Sequence, residues 1–63
     1  MTTSLTSERI AVIKRARLMG YFNHIIAAYY RINQGRIAEV NTGKRGGNVP
    51  PADRLPPDFP ALA

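Results

Sequence analysis

Asn33, Gln34, Gly35, Arg36 and Glu39 are the residues of this chain whose types and spacing best suit recognition chemistry. Gln34 carries an amide that can pair bidentately with adenine. Arg36 carries a guanidinium that can pair with guanine, or reach a phosphate from a more lateral position. Gly35 permits close approach of the backbone to a ligand, or is simply a tolerated cost in helix propensity. Glu39 is the awkward member, because phosphate repels a carboxylate. It can accept from cytosine N4 or hold Arg36 through an i, i+3 pair, and the ion pair is the preferred reading. Donors for phosphate flank the cluster: Arg31 before it, Lys44 and Arg45 after it, and Arg15 and the Tyr29 hydroxyl upstream. For Tyr29 and Tyr30 alike, packing is the plainer reading, and Tyr30 fits a core position.

These residues need elements to present them, and the apolar spacing supplies two short helices and a turn. In the segment IAAYYRINQGRIAEV, Ile26, Ala27 and Tyr30 share one helical face, Ile32 plugs the turn, and Ile37 and Val40 form the inner face of the next helix. The small Ala27 stands where the two helices must approach. Asn33 is the expected N-cap of the later helix, which runs from about 34 to 41 or 42 and stops at Gly43. Upstream, Thr6 or Ser7 caps a first helix with Glu8 in its first turn, favoured by the helix dipole. Its apolar stripe is Ile10, Ile13, Ala16 and Met19 or Leu18, and Gly20 is its stop. Tyr21 and Phe22 bridge into the second helix, for which Asn23 is the expected N-cap and near whose start His24 is exposed or touches a phosphate.

The expected fold class is therefore all-α: a polar leader over 1–6, a compact three-helix helix-turn-helix domain over 7–45, and an extended proline-rich C-terminal tail over 46–63. All five prolines follow Val49, and Gly46 and Gly47 form a joint before them. Proline lacks an amide donor and fixes φ, so the tail is neither helix nor interior strand. Its apolar residues Val49, Leu55, Phe59 and Leu62 exceed what a linker needs and can pack on the helices or on a second subunit. A disordered tail is nevertheless the favoured expectation for the free protein.

Composition narrows the function. The chain has 63 residues, nine Lys and Arg against four Asp and Glu, and a formal charge of +5. Residues 9–45 hold eight cations and a single anion, Glu39, a local balance of +7 that suits a phosphate-facing surface. There is no cysteine, hence no disulfide framework and no thiolate metal site. One histidine and a few scattered acids give poor material for catalysis, and Asp53 and Asp58 lie in the tail, where nothing rigid holds them as a pair. GKRGG follows a helix rather than a strand, so it is not a phosphate loop. No enzyme activity and no cofactor or metal are expected. The leader lacks an apolar signal core, and the run IIAAYY is too short to span a bilayer. A cytoplasmic, nucleoid-associated protein without a membrane partner is the expectation.

The run IKRARLMGYFNHIIAAYYRINQGRI, within a match over residues 13–45, resembles the helix-turn-helix of phage repressors and of resolvase and invertase tails. In such motifs the positions matching Asn33, Gln34, Gly35, Ala38, Glu39 and Thr42 face the bases. Two positions depart from the pattern: Arg31 stands where the turn usually has glycine, and Arg17 where first helices often carry leucine. The resemblance implies a small sequence-specific transcriptional regulator, a repressor more often than an activator, with double-stranded DNA as its partner. Forty residues of short helices bury little surface, so a homodimer on a palindromic site is expected. The tail could reach RNA polymerase or another regulator. Three other classes compete: a protein-interaction module of the anti-activator or polymerase-binding kind, a nonspecific DNA-binding accessory protein, and a membrane-surface peptide.

Overall fold

The computed structural model of the chain describes residues 6–61; the leader residues 1–5 and the tail residues Leu62 and Ala63 lie outside the described residues. Three helices follow one another: α1 (Ser7–Leu18), α2 (Asn23–Tyr30) and α3 (Gln34–Asn41). The fold is all-α, as the spacing predicted. Helix α1 starts where Thr6 accepts from the Arg9 amide, with Glu8 in the first turn. Helix α3 starts where the Asn33 side chain accepts from the Gly35 amide at 2.7 Å.

Helix α2 corrects one expectation. Its N-cap is Phe22, not Asn23. The extended backbone of Phe22 offers its carbonyl to Ile25 and Ile26, but its ring cannot cap. The Asn23 side chain is used elsewhere: its Oδ1 accepts from Asn41 Nδ2 at 3.0 Å, joining the start of α2 to the end of α3.

All three helices close with the same paired hydrogen bonds. Gly20 and Tyr21 donate to Arg17 and Ala16, Arg31 and Ile32 to Ala28 and Ala27, and Gly43 and Lys44 to Val40 and Glu39. This is the Schellman arrangement, which needs a left-handed residue just past the helix. Gly20, Arg31 and Gly43 take that position, with φ of 99°, 56° and 85°.

The core draws on every helix: Ile10, Ile13 and Ala16 from α1, Ile26 and Ala27 from α2, Ile37 and Val40 from α3. The expected continuation of the α1 stripe fails, since Leu18 and Met19 are 70% and 44% exposed. The chain reverses at Gly20 and brings Tyr21 back under the helices, where it takes the place those two would have filled. Arg17 has a reason of its own: Nη1 donates to the Tyr21 carbonyl at 2.5 Å and clamps that reversal.

The tail lies against the helices. Val49, Leu55 and Phe59 pack against the core, and the Ala52 amide donates to the Ala11 carbonyl at 2.9 Å. Lys14 Nζ donates to the carbonyls of Gly46 and Val49, each at 2.6 Å, and the Tyr21 hydroxyl to that of Pro60 at 2.6 Å. Phe59 meets Tyr21 edge-on and Tyr29 at a tilt, with ring centroids 5.1 and 4.5 Å apart. The partners that the tail meets in the structure lie far back in the sequence.

Candidate nucleic-acid interface

Helices α2 and α3 are joined by a turn of three residues, Arg31, Ile32 and Asn33. Arg31 is left-handed, Ile32 leans half-buried on the core, and Asn33 is already extended for its capping role. Ile26 and Ala27 on α2, with Ile37 and Val40 on α3, lock the two helices together. Burying those side chains fixes which way α3 points its remaining residues.

Away from the core, most of α3 is exposed. Asn33, Gln34, Gly35, Arg36, Ala38, Asn41 and Thr42 are exposed, while Ile37 and Val40 are buried. The structure therefore leaves four of the expected base-reading residues exposed at the start of α3. Gly35 has a local reason to be small: a Cβ there would sit 3.1 Å from Asn33 Oδ1 and press on the cap.

Glu39, the fifth, is occupied. Its Oε1 lies 2.5 Å from Arg45 Nε and 3.5 Å from Arg36 Nη1. The hydrogen bond from Arg45, helped by the charges of Arg45 and Arg36, holds its carboxyl below the usual carboxylate range. The i, i+3 spacing gave the Arg36 partner. The closer Arg45 partner has no helical spacing to announce it; the reversal at Gly43 carries Arg45 back alongside α3. Two guanidinium groups thus offset the carboxylate that stood against phosphate binding on this face.

Of the expected phosphate donors, Arg31 and Lys44 are exposed at the two ends of α3, and Arg45 stands beside Glu39. Arg15 is set apart. It belongs to α1 and is half-buried, with its Nε enclosed and without a hydrogen-bond partner. Tyr29 is turned to another use, because its hydroxyl donates to Asp58 Oδ1 at 2.7 Å. That bond, above all, pushes the phenol up to about 12. A carboxylate now stands where a phosphate oxygen was expected. Tyr30 is half-buried, edge-on to Tyr29, with the Arg9 guanidinium 6.0 Å from its ring centre. His24 is exposed and stacked on Phe22. Among the described residues, no helix is long and apolar enough to cross a membrane.

No family model, curated protein or solved structure matches this chain.

Proposed function

We propose that this chain is a small sequence-specific DNA-binding regulator that sets α3 into the major groove. The observation that carries the reading is the division of α3, with Ile37 and Val40 buried on one side and an unobstructed polar face on the other. In groove-reading helices the leading residues project furthest toward base edges. Gln34 would pair with adenine, Arg36 with guanine or a neighbouring phosphate, and the Ala38 methyl would meet thymine. Arg31, Lys44 and Arg45 would hold phosphates and fix the register.

Arg31 lends independent support. A side chain in the left-handed region costs about 1 kcal/mol, and the other two helix ends avoid that cost with glycine. A charged residue kept there, next to the start of α3, is well placed to reach a phosphate. The rival in which the tail recruits a partner is weakened, since Val49, Leu55 and Phe59 already pack on the chain's own core. A homodimer on a palindromic site, and repression by occupying that site, complete the proposal.

Selection of duplexes from random DNA at about physiological salt tests it. A sharp palindromic motif that broadens with Gln34→Ala and Arg36→Ala is the expected result, each lost base contact costing about 1–3 kcal/mol of discrimination. Enrichment indifferent to both substitutions, or no enrichment at all, would remove α3 as the reading element.

A further inference from the structure

Leu18, Met19 and Phe22 are 70%, 44% and 65% exposed, three large apolar side chains within five residues at the corner between α1 and α2. Such side chains are common singly on a surface, but a contiguous group marks an interaction site. Leu18 also lines an open groove of about 540 Å³ whose other walls include Lys14, Arg17, Val40, Asn41 and Thr42. Leu18 therefore belongs to both the corner and the groove. The groove lies at the C-terminal end of α3, about 10 Å along the helix from Gln34 at its start.

We infer that this surface docks an acidic amphipathic helix of a partner protein. Charge complementarity selects the occupant. The lining holds two cations and no carboxylate. Lys14 donates only to the carbonyls of Gly46 and Val49, and Arg17 to that of Tyr21, so neutral acceptors leave both charges without a counter-ion. A second copy of this chain would bring the same cations to the same place, and like charges opposed across an interface are disfavoured. A lipid surface would meet the convex corner but leave the concave groove empty. A small ligand would be poorly enclosed, since good small-molecule sites bury most of their occupant. A helix can set apolar side chains against Leu18, Met19 and Phe22 and carboxylates against Lys14 and Arg17. The inference does not depend on DNA binding by α3.

The test is a titration of the ¹⁵N-labelled full chain with a synthetic helical peptide, leucine and phenylalanine on one face and glutamate on the other. Saturable amide shifts at residues 18, 19, 22 and 41–43 are expected. The double variant Leu18→Ser, Phe22→Ser should bind about tenfold or more weakly, as for loss of two interface anchors. Both side chains are exposed, so its spectrum should stay dispersed. Thr42→Glu, which adds a carboxylate to the groove, should abolish binding separately. Equal binding of a peptide with lysine for glutamate, or shifts elsewhere or none, would overturn the inference. So would binding of phosphatidylglycerol vesicles but not peptide, if Leu18→Ser, Phe22→Ser removes it. Self-association removed by those substitutions would assign the surface to a second copy instead.

Discussion

Helices α1 and α3 close on glycine, Gly20 at φ 99° and Gly43 at φ 85°, whereas α2 closes through the same hydrogen bonds on Arg31 at φ 56°. No atom lies within 4 Å of a Cβ built on either glycine, so sterics around the turn do not explain the difference. Backbone conformation alone favours glycine at all three. The outer faces of the helices that meet at Arg31 differ as well. Phe59 and Asp58 of the tail lie against Tyr29 of α2, while the start of α3 stays bare. The lesson is that backbone preference chose the residues at two helix ends and not at the third. The exception borders the exposed start of α3.

The largest expected effect removes the floor beneath that face. Ile37→Ala empties a site with no exposure and should cost about 2–5 kcal/mol in urea denaturation, enough to unfold much of so small a core. Phe59→Ala should cost about 2 kcal/mol, the half-buried share of a phenylalanine deletion, and speed amide exchange over the tail while the α3 amides stay protected. If α3 loosened equally, the contrast between covered and bare helices would collapse.

The glycine comparison gives smaller effects of opposite sign. Gly20→Ala and Gly43→Ala should each destabilise by about 1 kcal/mol, because an alanine must take the left-handed region. Arg31→Gly should stabilise by up to about 1 kcal/mol, reduced by the freedom glycine adds to the unfolded chain. The same change should weaken DNA binding across all sequences and lower the salt slope by about 1. Stability and binding moving together would break the account of Arg31.

The smallest effect concerns the covered helix. The bond to Asp58 raises Tyr29 to about 12 from an ordinary 10, so the folded state favours the neutral phenol. That contribution is fully present below pH 10 and lost as pH rises through 12. Spectrophotometric titration should find a late-ionising tyrosine that returns toward 10 in Asp58→Asn.

Local signals made much of this legible. Thr6 and Glu8, Gly20, Asn33 and Gly43 mark helix ends, and Ile37 and Val40 mark the inner face of α3. The Arg36–Glu39 pair follows from helical spacing. What stayed hidden is non-local. The stripe of α1 gave no sign that Tyr21 would displace Leu18 and Met19 from the core. Asn23 looked like a cap until Asn41, eighteen residues on, claimed its side chain. Nothing near Tyr29 announced Asp58, twenty-nine residues away, so a donor expected to meet phosphate proved to anchor the tail.

The most direct measurement is an amide-shift map of the ¹⁵N-labelled full chain with a mixed-sequence duplex at low salt. Perturbation concentrated at residues 31–39 and 44–45, with the tail over 50–61 unmoved, is the predicted result. Shifts centred on the tail or on the Leu18, Met19 and Phe22 corner, with the start of α3 silent, would contradict the claim that α3 meets DNA.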